Sequence, residues 1–176
     1  MQTARDLFVH EMQDIFDGEQ RLVEALGEHE QEVSRPELKK AFASHREQTE
    51  NQVERLRQVF QELGEEPEET ECKGIIGLIE EHKAFKEENP SEELLDIISV
   101  GAAIKVESYE INSYESLVKL ARELGFKKAV TLLNQNLKEE QQTLKKLEGF
   151  SDKLKPSELG IEMEEAEERP RRRRAA

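Results

Sequence analysis

The stretch IISVGAAIKVESYEINSYESLVKLA, residues 97–121, reads as one amphipathic helix with Ile97, Val100, Ile104, Ile111, Val118 and Ala121 as its apolar stripe. Wound at about 100° per residue, it puts Glu107 near the middle of that stripe and Glu110 within about 60° of the middle. Two carboxylates therefore sit on a face that should be dry. Their charge needs compensation from elsewhere in the fold.

The neighbouring sequence supplies three more helices of similar design. The first is expected over residues 3–26, with Thr3 as N-cap, Gly27 as stop, and Phe8, Met12, Ile15, Leu22, Val23 and Leu26 as its stripe. The second opens at Ser34-Arg35-Pro36-Glu37, a Ser N-cap with Pro in the first turn, and ends at Leu63-Gly64. Its seam of Leu38, Phe42, His45, Thr49, Gln52, Leu56, Val59 and Leu63 alternates four and three residues, as a bundle helix does. The helix containing Glu107 opens at Asn89-Pro90-Ser91 and stops at Leu124-Gly125. The last spans 126–147, with Leu133, Leu137, Leu144 and Leu147 inward and Gly149 as stop.

Two connections are short and one is long, and the long one contains a further helix at 73–87. This predicts an all-α, ferritin-like four-helix bundle: two antiparallel hairpins joined by a long crossover with a short extra helix. Residues 1–150 form the expected bundle domain, and 151–176, ending in RPRRRR and two Ala, read as a charged, mobile tail.

Composition agrees with that outline. Thirty-five Glu against five Asp, few aromatics and abundant Leu, Lys and Gln favour helix over sheet. The net charge of −14 disfavours nucleic acid and anionic membrane as partners, the basic tail excepted. A single cysteine, Cys72, excludes an internal disulfide. The N-terminus reads as the start of an amphipathic helix rather than a signal peptide, and no apolar run reaches transmembrane length, so a cytoplasmic location is expected.

The same winding finds more polar groups on inward faces. Glu19 lies between Ile15 and Leu22, with Glu11 at the stripe's margin and Asp14 roughly 100° from its centre. His45, Thr49 and Gln52 occupy the second seam with Gln48 on its flank, while Glu47 and Glu50 point away. Glu140 replaces the leucine expected between Leu137 and Leu144, and Glu139 points outward. Depth agrees too: Glu110 and Glu140 each lie 15 residues from the turn at Gly125, and Glu19 and His45 lie 12 and 14 residues from the turn near residue 31.

Four inward carboxylates and one imidazole at one depth match the donor set of bundle sites that hold paired iron or manganese. Taken singly, a seam Glu is more often a boundary residue reaching water, and a core His a hydrogen-bonded structural one. Tyr109 and Tyr114 fit either packing or a supporting role beside the glutamates. Cys72, His10, His29 and His82 have no assignment on these grounds.

DLFVHEMQDIFDGEQRLVEAL, SHREQTENQVERLRQVF, CKGIIGLIEE, KVESYEINSY and LLNQNLKEE together resemble the YciE/YciF family of bacterial stress proteins, a branch of the ferritin-like superfamily, over residues 4–150. The resemblance implies a ferritin-like core, a homodimer and a stress-response role. Its pattern points to Glu19, His45, Glu107, Glu110 and Glu140 as metal ligands, with Asp14, Gln48, Gln52, Tyr109 and Tyr114 in support. Two positions depart from it. Gln48 stands where relatives usually carry Glu in the His-x-Glu-Glu run, and Ser108 where they often carry His. Each change removes a potential ligand or proton acceptor, leaving one ion or two open.

Two functions follow as expectations. One is a metal site of iron or manganese handling oxygen or peroxide. The other is a non-catalytic dimer whose site is degenerate. Leu7, Phe16, Ile98, Leu117 and Leu120 lie off or at the margins of the stripes and are the expected dimer face.

Overall fold

The computed structural model describes residues 1–153, and all regular structure among them is helical. The elements are α1 (Ala4–Glu32), α2 (Pro36–Leu63), α3 (Lys73–Glu87), α4 (Glu92–Glu123) and α5 (Lys127–Ser151). α1 pairs with α2 and α4 with α5, and the hairpins meet through α1 on α4 and α2 on α5. This is the ferritin-like four-helix bundle, with α3 in the crossover laid over α1 and α4.

Two apolar clusters fill the ends of the bundle. One joins Phe8, Met12 and Ile15 of α1 to Leu56 and Phe60 of α2, Tyr114 and Leu117 of α4, and Leu133 of α5. The other joins Leu26, Leu38, Phe42, Val100 and Leu147. The N-terminal part of α1 thus lies beside the C-terminal parts of α2 and α4, so α2 and α4 run parallel. A third cluster of Leu22, Cys72, Ile75 and Val106 seats α3 on the bundle. Gly74 is required there, because a Cβ at that position would lie 2.4 Å from the Tyr109 ring.

Thr3 caps α1 as the sequence indicates, in a capping box with Asp6. The turn glycines Gly64 and Gly125 take φ of 67° and 77°, where a side chain would be strained. Other boundaries move. α1 continues through Gly27 to Glu32, because Gly27 is buried where Arg46 packs against it and serves close helix approach rather than termination. α5 continues through Gly149 to Ser151, carrying Phe150 onto the second cluster. Arg35, not Ser34, is the N-cap of α2; the Ser34 amide and hydroxyl instead donate to Asp96, at 2.6 and 2.8 Å.

Faces shift as well. Because α3 covers a second side of α4, Ser99, Ala103 and Val106 are buried while Ile97, Ile104 and Ile111 are only half-buried. On α5, Asn136 and Thr143 point inward, and Leu137 and Leu144 sit half-buried at the margin. Phe16 and Leu117 are interior residues of the first apolar cluster, not parts of an outer face; Leu7 is exposed, and Ile98 and Leu120 are half-buried. The expected tail falls almost wholly outside the described residues.

Candidate metal centre

Between the two apolar ends, the four long helices each contribute polar side chains to one buried layer. Glu19 comes from α1, His45 from α2, Glu107 and Glu110 from α4, and Glu140 from α5. Glu19 and Glu107 are fully buried, Glu110 and Glu140 are 1% exposed, and His45 is 7% exposed. Spacing explains the convergence: the step of three residues from Glu107 to Glu110 nearly completes a turn, so both face the seam shared with α1, α2 and α5.

Two overlapping triads result. His45, Glu107 and Glu140 form one, and Glu19, Glu110 and Glu140 the other; in each, one donor atom per residue lies within 4.8 Å of the others. Glu140 belongs to both. His45 Nε2 lies 3.0 Å from Glu107 Oε1. All five residues expected from the sequence are thus brought together.

The layer is electrostatically incomplete. Glu19 Oε2, Glu107 Oε2 and Glu140 Oε1 are buried with no hydrogen-bond partner, as are His45 Nδ1 and the whole Gln52 amide, and Glu107 Oε1 has only its His45 contact. Burial, opposed by the Tyr114 hydrogen bond and reinforced by the nearby Glu107 charge, pushes the Glu19 carboxyl up to about 8. Glu110 and Glu140 are also pushed well above the usual carboxylate range, by burial first and by neighbouring carboxylates second. Without a cation, burial and the neighbouring carboxylates favour the protonated form of all three groups.

Of the supporting residues, Tyr114 is integral: its buried hydroxyl donates to Glu19 Oε1. Asn136 Nδ2 donates to the Tyr114 oxygen at 2.9 Å, and Arg55 Nε donates to Asn136 Oδ1 at 2.6 Å, with its guanidinium also on Glu139. Sequence reading misses Asn136 and Arg55, although Asn136 stands four residues before Glu140 on the same face, a spacing that marks it. Gln48 lies at the edge, donating to Thr143 at 3.0 Å. Asp14 and Tyr109 do not join the layer. The hydroxyl of Tyr109 and the thiol of Cys72 both reach Asp14 Oδ2, at 3.2 and 3.1 Å, because α3 brings Cys72 to the outer side of α1 and α4.

The donor set fits an oxygen-preferring cation. Four carboxylates with one imidazole are an oxygen-rich donor set, three carboxylate oxygens lack any partner, and among the described residues His45 is the counter-charge in direct contact with them.

Residues 3–159 match the model of a family described as a domain of unknown function, DUF892. The chain belongs to this family. Protein YciF of Escherichia coli K12, another relative, is 38% identical over 144 residues, 81% of this chain and 87% of YciF. The crystal structure of the E. coli stress protein YciF matches with a TM-score of 0.83 and 34% identity, covering 92% of this chain and all of that one. YcfI of Rhodopseudomonas palustris matches at 0.82 and 38% identity over 84% and 94% of the two chains. A Xanthomonas campestris protein, 20% identical with a TM-score of 0.69 over 85% and 92%, shares the fold. The DUF892 chain described here is therefore similar to YciF in both sequence and fold. None of its helices is long and apolar enough to cross a membrane among the described residues.

Proposed function

We propose that this protein binds a pair of iron or manganese ions in the carboxylate layer and acts on dioxygen or peroxide under stress. The observation that carries the reading is the set of buried, unpartnered carboxylate oxygens in two triads that share Glu140. His45, Glu107 and Glu140 would hold one ion, and Glu19, Glu110 and Glu140 the other. Bound there, such ions supply redox change and Lewis acidity toward a small oxygen ligand.

The chain's own residues prepare this chemistry. Tyr114, itself fixed by Asn136, orients Glu19 and can hold a proton at its hydroxyl. The apolar clusters above and below exclude water, which keeps the layer at low dielectric. The two departures from the family pattern lie outside the five ligands: Ser108 is exposed and bonds its own helix at Ile104 O, and Gln48 bonds Thr143.

Anaerobic titration of the purified full chain with Fe(II) or Mn(II), followed by elemental analysis, tests the reading. Two ions per chain are expected, and Glu140→Gln should weaken binding by more than ~10-fold, the scale on which even outer-shell losses act. A folded chain that retains no metal after loading would overturn it and leave the non-catalytic reading.

A further inference from the structure

We infer that Arg55 is a positioning residue for the carboxylate layer: through Asn136 and Tyr114 it decides which oxygen of Glu19 faces the layer. This rests on the reading of the layer as a cation site and adds to it a residue that supplies no ligand. The chain of hydrogen bonds crosses all four long helices, from Arg55 on α2 to Asn136 on α5, Tyr114 on α4 and Glu19 on α1. Its outer end is held at the edge of the bundle, where the Arg55 side chain is 18% exposed and its guanidinium also meets Glu139.

The direction of the chain follows from what each group is able to donate or accept. A guanidinium only donates, so the Asn136 atom 2.6 Å from Arg55 Nε is the acceptor, Oδ1. The far side of the amide agrees: Nδ2 lies 3.4 Å from the Gln52 carbonyl oxygen, which only accepts. A flipped Asn136 would set donor against donor and acceptor against acceptor. Both of its N–H bonds are therefore committed, one to Gln52 O and one to the Tyr114 oxygen at 2.9 Å. Tyr114 has a single hydroxyl proton. With its oxygen accepting from Asn136, that proton goes to Glu19 Oε1. Asn136 and Tyr114 are fully buried, so bulk water competes at neither link.

The consequence falls on Glu19. Its Oε1 is taken by Tyr114, and Oε2, buried without a partner, is the oxygen left for an ion. Glu19 is thus set to bind through one oxygen rather than to chelate through two. Arg55 also acts on Glu19 through space by its charge. The two modes predict different results once Tyr114 is removed.

Competition titrations of the full chain with Fe(II) or Mn(II) separate them. Arg55→Met keeps the aliphatic stem and removes every donor, and it should weaken binding by ~10-fold, the scale of outer-shell losses. In a Tyr114→Phe background, where the chain is already cut, the same change should cost nothing further. Equal losses in both backgrounds would mean that Arg55 acts by charge alone and would overturn the inference, as would wild-type affinity in Arg55→Met. Proton NMR of the metal-free chain gives a second readout. The buried Tyr114 hydroxyl proton should give a downfield resonance that moves or vanishes in Arg55→Met. Should that variant fail to fold, Asn136→Asp keeps a partner for Arg55 but offers Tyr114 an acceptor in place of a donor, and the same resonance should move. An unmoved resonance in the folded variant would overturn the inference. A wild type that binds no metal would end the proposed function alone, because the resonance reports on the chain without metal.

Discussion

Two places among the described residues bury acid, and they do so in opposite ways. Asp96, fully buried near the start of α4, accepts from the Ser34 amide and hydroxyl and lies 3.3 Å from Arg35 Nε. The glutamate layer deeper in the same helix has four carboxylates, one imidazole and three carboxylate oxygens with no partner at all. Asp96 is complete as it stands and ties the α1–α2 loop to α4. The layer is incomplete as it stands, and what it lacks is positive charge. The contrast teaches that burial alone does not mark a site; burial without partners does.

Breaking Asp96 should therefore be a costly substitution that is indifferent to metal. Asp96→Ala leaves the Ser34 amide and hydroxyl without their acceptor, and a loss of about 3 kcal/mol is expected, equal with and without iron in chemical denaturation. A metal-dependent loss would erase the distinction between the two regions.

The response to pH of the metal-free chain is a second test. Glu19 is held up at about 8 against an ordinary 4.5, and Glu110 and Glu140 shift the same way. The native chain keeps protons that the unfolded chain releases, so this contribution is full below the ordinary carboxylate range. It is lost as pH rises toward 8. Glu19 alone gives a slope of up to about 1.4 kcal/mol per pH unit between those limits. Denaturation midpoints measured from pH 5 to 8 should fall for the metal-free protein, and the fall should flatten in Glu110→Leu.

How much of this was legible in the sequence depends on whether one helix or several decide a position. Glu19, His45, Glu107, Glu110 and Glu140 could be found because each stands on its own helix's apolar seam, and hairpin geometry fixes depth by counting. The fold was legible for the same reason, through stripe, cap and loop length. Gly27 and Gly149 were misread as stops because glycine's local preference was outweighed by packing against Arg46 and by the burial of Phe150. That Asp14 and Tyr109 meet Cys72 had no signal in the sequence, because the face taken by α3 is a tertiary fact that no single helix encodes. Phe16 and Leu117 were placed outside for a related reason: winding ranks positions on a stripe, but the Phe16–Phe60 contact widens the buried face. Asp96, with partners 60 or more residues away in the chain, had no local signal at all.

A smaller effect sharpens the comparison inside the layer. Tyr114→Phe removes the donor to Glu19 and leaves Asn136 one acceptor short. The expected loss is about 1–2 kcal/mol in the metal-free protein. It should be accompanied by weaker metal binding in a competition titration, whereas a residue that merely packs would leave metal affinity unchanged.

The central claim is that the layer is a cation site, and Glu110→Leu tests it most directly through the sign of its effect. In the metal-free protein, replacing an uncompensated buried carboxyl by a packed apolar side chain should raise stability, by roughly 1–4 kcal/mol. In the presence of saturating Fe(II) or Mn(II) the same change should lower it relative to the wild type, because ligand-linked stabilisation is lost. Melting curves of both proteins, with and without metal, would show opposite shifts if Glu110 is a ligand. Shifts of the same sign and size in both conditions would contradict the account.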